Sequence, residues 1–90
     1  MKRYHLIIHG RVHGVFFRAF VKKVATMLGI TGFTRNKSDG TVEVVAEGTS
    51  EKLNELFEHC KKGPVAARVD TIDKKEEKSA GEFKGFEVRY

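Results

Sequence analysis

The stretch Tyr4-His5-Leu6-Ile7-Ile8-His9 alternates apolar and polar positions and is rich in β-formers, so it predicts a first strand. The period then changes. Phe17, Phe20, Val21, Val24 and Leu28 recur at i, i+3, i+4, i+7 and i+11, which is one apolar face of a helix, and Gly29 supplies its stop. Residues 30–35 read as a second strand. Asn36-Lys37-Ser38-Asp39-Gly40 is a turn in which Asp-Gly is a strong hairpin signal. Residues 41–47 form a third strand with Val42, Val44 and Ala46 on one face. Thr49 or Ser50 can cap a second helix, and Glu51 suits its positive first turn. Leu53, Leu56, Phe57 and Cys60 make its buried stripe, Lys61 and Lys62 suit its negative end, and Gly63-Pro64 terminate it. Residues 65–72 read as a fourth strand and the polar stretch 73–85 as a loop or frayed edge. Phe86, Val88 and Tyr90 alternate in a short last strand.

This order, β-α-β-β-α-β with one further C-terminal strand, predicts an α+β domain over residues 1–90. It is the ferredoxin-like sandwich, an antiparallel sheet with two helices packed on one face. A chain of 90 residues buries roughly 60–65% of its unfolded surface, enough for one modest core. The fold alone assigns no function, because many unrelated sites are built on it.

Composition narrows the partners. No run reaches the roughly 20 apolar residues of a membrane span, and the histidine-interrupted N-terminus is a poor signal peptide. Cys60 is the one cysteine, so no internal disulfide forms, which suits a reducing compartment and a cytoplasmic location. A formal net charge of +5 favours anionic partners without choosing between a small phosphate ester and nucleic acid.

The chemistry concentrates in Gly10-Arg11-Val12-His13-Gly14-Val15-Phe16-Phe17-Arg18. Two glycines let this loop turn tightly between a strand and a helix. A loop of this kind points backbone N–H groups at one place, and the positive end of the helix dipole points there too, so an anion is favoured. Arg18 adds a planar, permanently charged fork suited to phosphate.

These nine residues closely resemble the first signature of the acylphosphatases, and residues 32–48, from Gly32-Phe33-Thr34-Arg35-Asn36 to Glu47-Gly48, resemble the second. Gly63-Pro64 and Gly85-Phe86 also look like that family. The resemblance implies hydrolysis of a carboxylic–phosphoric mixed anhydride to a carboxylate and inorganic phosphate. It implies that Arg18 binds the phosphate, that Asn36 positions the attacking water, and that backbone amides of His13, Gly14, Val15, Phe16, Phe17 and Arg18 hold the phosphoryl oxygens. The chain departs from the family pattern at His13, where glutamine is usual, at Phe33, where tryptophan is commoner, and at Lys37-Ser38, where leucine-proline is more usual.

The physics agrees with that implication. An acyl phosphate has a good leaving group, so positioning and charge stabilisation are most of the task. An asparagine offers a donor and an acceptor and can orient water without being a strong base. No cofactor and no metal are expected: His5 and His9 share a strand face but lie roughly 13 Å apart, too far to ligate one ion. Cys60 is expected in the core and His59 on the surface near a helix end. The expected partners are a small acyl phosphate and inorganic phosphate, with no membrane and no nucleic acid, and the simple expectation is a monomer. The alternative is a basic ferredoxin-like RNA-binding module. Its aromatic signature belongs on the third strand, whereas here the third strand has no aromatic residue and carries Glu43 and Glu47.

Overall fold

Seven elements follow one another in a computed structural model that describes residues 1–90: β1 (Lys2–Arg11), α1 (Phe17–Met27), β2 (Thr31–Asn36), β3 (Val42–Gly48), α2 (Ser50–Lys62), β4 (Arg68–Lys78) and β5 (Phe86–Arg89). The strands form one sheet in the order β4-β1-β3-β2-β5. The first four are antiparallel to their neighbours, and β5 is added parallel to β2, with Thr34 opposite Val88.

Strand alternation decides which residues meet the helices. Tyr4, Leu6 and Ile8 of β1 and Val42, Val44 and Ala46 of β3 point to one face. There they pack against Phe17, Val21, Val24 and Ala25 of α1 and Leu53, Leu56 and Cys60 of α2. Both helices therefore cover the same side of the sheet. Thr49 caps α2 by accepting a hydrogen bond from the Lys52 amide at 3.3 Å, and Gly63 ends it at φ 67°. Gly32 is required by a close approach: a Cβ there would lie 1.9 Å from the Val45 carbonyl oxygen.

Three boundaries differ from the sequence expectation: β1 runs on to Arg11, so Gly10 and Arg11, expected in the loop, lie in the strand paired with β4, and the other two concern β4. Residues 73–78, expected as a loop or frayed edge, continue β4 to Lys78. Their backbone pairs with β1 from Lys2 to Ile7 while the charged side chains stay in solvent. An edge strand needs only one paired side, and its charges deter pairing with another chain. The start of the expected fourth strand, by contrast, is irregular: Val65 lies outside β4 and is fully exposed.

Cys60 lies in the core, as its place on the helical stripe predicted, and burial pushes its thiol up to about 12. The thiolate is the reactive form. The native protein is therefore expected to leave Cys60 unlabelled by a thiol reagent at pH 8, with full labelling in denaturant; rapid native labelling would contradict its place in the core.

The other face of the sheet carries two buried carboxylates that the sequence reading did not foresee as paired. Glu43 accepts from Arg35 Nε at 2.5 Å and His5 Nε2 at 2.7 Å. Glu47 accepts from Arg3 Nε at 2.8 Å and ties down residues 79–81 through the Ser79 hydroxyl and the Ala80 and Gly81 amides. Burial works to raise both carboxyl pKa values, but the hydrogen bonds outweigh it and hold both below the ordinary value of 4.5. A carboxyl with a lowered folded-state pKa stabilises the fold fully above its unfolded value and loses that contribution as pH falls through the folded value. Thermal unfolding should therefore move to lower temperature as pH drops below about 4.5. Glu43→Gln and Glu47→Gln should each flatten the slope in thermal melts; slopes parallel to that of the parent chain would contradict the assignment.

Candidate active site

The loop between β1 and α1 is pinned at alternate points. Val12, Val15 and Phe17 are buried in the core, and the residues between them, His13, Gly14 and Phe16, are exposed. Gly14 has φ 70°, a conformation natural to glycine. Phe16 has φ 63° and is the one non-glycine residue with positive φ. It is also the N-cap of α1 and offers no side-chain hydrogen bond to the helix. None of the backbone N–H groups from His13 to Ala19 donates to a protein acceptor. The first turn of α1 has no acidic residue. A helix start of this kind leaves unpaired donors and the positive end of its dipole facing outward, with no carboxylate to compete for them.

Arg18 rises from that first turn. Its Nη1 donates to the Arg89 carbonyl at 3.2 Å, and its guanidinium lies 4.7 Å from the centroid of the Tyr90 ring. Asn36 ends β2, opposite Val42. Its Oδ1 is buried, and no protein group hydrogen-bonds to it. Leaving such an acceptor unpaired costs about 1–3 kcal/mol, which marks the position as one kept for something other than stability.

Arg18 and Asn36 share a cavity of about 440 Å³ with Gly14, Phe16 and Phe17 from the loop. The fold thus brings together residues that are 18 positions apart in sequence. Val88 and Tyr90 form a further wall. The sequence reading missed both as site residues. Their alternation predicted a strand, but it held no sign that this strand would pair with β2 and so bring Val88 and Tyr90 to the cavity holding Asn36.

His13 and Val15 do not line the cavity. Val15 is turned into the core, and the His13 ring is turned toward the β2–β3 turn. There its Nε2–H donates to the Thr41 carbonyl at 2.8 Å, and the Lys37 amide donates to the same oxygen at 2.9 Å. Asp39 braces the turn by accepting from the Thr41 amide at 3.0 Å and the Thr41 hydroxyl at 2.6 Å. These hydrogen bonds hold its carboxyl below the ordinary range. His13 therefore fastens the loop to the turn that follows Asn36.

Known proteins share both the sequence and the fold. The family model for acylphosphatase matches residues 4–88. The acylphosphatase of Methylococcus capsulatus is 47% identical over 88 residues, spanning 98% of this chain and 96% of that protein. The acylphosphatase of Syntrophobacter fumaroxidans is 45% identical over 89 residues, spanning 99% and 92%. The crystal structure of the acylphosphatase from Bacillus subtilis superimposes with a TM-score of 0.97 at 36% identity, covering 100% of both chains. The loop with its unpaired amides, the arginine and the asparagine thus lie in a chain that belongs to the acylphosphatase family of hydrolases.

Proposed function

We propose that the chain hydrolyses acyl phosphates at this cavity without a metal ion. The observation that carries the reading is the convergence on one cavity of the loop with its free backbone donors, the Arg18 fork and the Asn36 side chain. Each is what a bound phosphoryl group with an attacking water would engage. The loop amides and Arg18 hold the phosphoryl oxygens and stabilise the charge that builds there. Asn36 orients the water through its side-chain amide and aims it at phosphorus. The water oxygen forms the new P–O bond, the bond from phosphorus to the acyl oxygen breaks, and the water's proton passes to a phosphoryl oxygen. The products are a carboxylate and inorganic phosphate. A carboxylate leaves readily, so the scheme needs no strong base and no covalent nucleophile, in keeping with a cysteine buried away from the cavity.

The opposite sheet face supports this reading over RNA binding. Its central strand presents Glu43, Val45 and Glu47, two of them engaged in ion pairs, in place of a row of stacking rings. No helix is long and apolar enough to cross a membrane.

The test is turnover of benzoyl phosphate, followed by absorbance with EDTA present, beside an alkyl phosphate monoester. The expected result is hydrolysis of the anhydride and none of the monoester, whose alkoxide leaves poorly. No hydrolysis of either by folded protein would overturn the reading.

A further inference from the structure

Glu47 is a buried carboxylate that the proposed chemistry does not use. It is 4% exposed and does not line the cavity that holds Arg18 and Asn36. Both of its oxygens are engaged. Oε2 accepts from Arg3 Nε at 2.8 Å and from the Ala80 amide at 2.9 Å, and Oε1 accepts from the Ser79 hydroxyl at 3.0 Å and the Gly81 amide at 3.1 Å. Arg3 reaches on to Glu82. One carboxylate thus fixes the start of residues 79–85, the connector that leads from β4 to β5. Bonds of this charge-assisted kind are the strong ones.

β5 has need of such an anchor. It has four residues, sits at the sheet edge and pairs in parallel with its one neighbour, the less stable arrangement. In turn β5 supports Arg18. The Arg89 carbonyl accepts from its Nη1 at 3.2 Å, and the Tyr90 ring centroid lies 4.7 Å from its guanidinium. We infer that Glu47 is a positioning residue: through residues 79–85 it fixes the place of β5, and through β5 it holds the Arg18 fork in the orientation that binds phosphate. The inference rests on the proposed function for the role of Arg18. A planar guanidinium makes two parallel bonds to an anion only when it is correctly turned, so a loosened support costs affinity even though the charge stays in place.

The test is titration of isotope-labelled protein with inorganic phosphate, read by amide chemical shifts, beside hydrogen exchange of the β5 amides. Glu47→Gln keeps the side-chain volume but turns an NH2 group toward donors that now meet an oxygen. It should weaken phosphate binding about 3–10-fold and speed exchange in β5 more than in β1 and β3. Glu43→Gln is the matched control. Glu43 lies on the same sheet face and pairs with His5 and Arg35, but it does not touch the connector. That variant should keep the parental phosphate affinity. In an Arg18→Ala background, Glu47→Gln should weaken binding no further, because the residue it acts through is gone. Ser79→Ala, which removes one donor and leaves the carboxylate in place, should shift affinity in the same direction by a smaller factor. Parental affinity in both Glu47→Gln and Ser79→Ala would overturn the inference. So would an equal loss in Glu43→Gln, or an undiminished loss in the Arg18→Ala background. None of these readouts needs turnover. A parent chain that binds phosphate but hydrolyses no acyl phosphate would overturn the proposed reaction and leave the anchor standing, whereas a folded parent chain that binds no phosphate would overturn both.

Discussion

Arg18→Ala is expected to lower kcat/KM for benzoyl phosphate by at least about 10²–10³-fold. The side chain stands in the first turn of α1 beside unpaired amides, so its charge adds to a positive helix end that no acidic residue offsets. In the proposed reaction, losing it removes a charge-assisted donor pair from the phosphoryl group. Arg18→Lys should recover only part of the rate, because an ammonium is a point charge and cannot make the fork's two parallel hydrogen bonds. The fold should survive either change. Arg18 is only partly buried and touches Arg89 and Tyr90 at the surface, so the melting temperature should move little. Steady-state kinetics beside a thermal melt check both statements. A folded alanine variant within a few-fold of the parent rate would remove Arg18 from the chemistry.

Asn36→Ala is expected to lower kcat by about 10²–10³-fold while leaving inorganic phosphate binding nearly intact. The asparagine lines the cavity with Arg18, and no protein group hydrogen-bonds to its buried Oδ1. Because that oxygen is buried and unpaired, its removal also relieves a desolvation penalty of about 1–3 kcal/mol. The variant should therefore unfold at the same or a higher temperature. An ordinary structural asparagine would show the reverse, a lower melting temperature with little change in rate. Thermal melts and phosphate inhibition constants measured on the same preparation distinguish the two.

Most of the fold was legible because the apolar periods change cleanly from two to near four and back. The stripe Phe17, Val21, Val24 and the stripe Leu53, Leu56, Cys60 are the helix faces that reach the core, and Gly63 ends the second helix as a positive-φ residue should. Two features stayed hidden for the same physical reason: an edge strand is defined by its backbone partner, not its side chains. Lys74 to Lys78 reads as a solvated charge run in sequence and becomes strand only because β1 is long enough to pair with it. Likewise Phe86 to Arg89 alternates, but its parallel pairing to β2 follows from the path of residues 79–85, which Glu47 holds by three hydrogen bonds.

The candidate site was legible to a similar depth. Gly14, Phe16, Phe17, Arg18 and Asn36 were singled out from the two signatures, and the fold brings them to one cavity. His13 was singled out for its backbone. Its ring bond to Thr41 was invisible, since that bond depends on how far the β2–β3 turn leans toward the loop. The aromatic wall was invisible too. Phe16 reads as one more apolar residue until its positive φ turns the ring outward, and Tyr90 reads as the end of a strand until β5 is placed beside β2.

The division of labour between Arg18 and Asn36 is the central claim, and one paired measurement tests it most directly. For the parent chain, Arg18→Ala and Asn36→Ala, kcat on benzoyl phosphate and the inhibition constant of inorganic phosphate would be determined together. Arg18→Ala is expected to lose phosphate affinity along with turnover, while Asn36→Ala is expected to keep phosphate affinity and lose turnover alone. Loss of phosphate affinity in Asn36→Ala, or full affinity in Arg18→Ala, would contradict it.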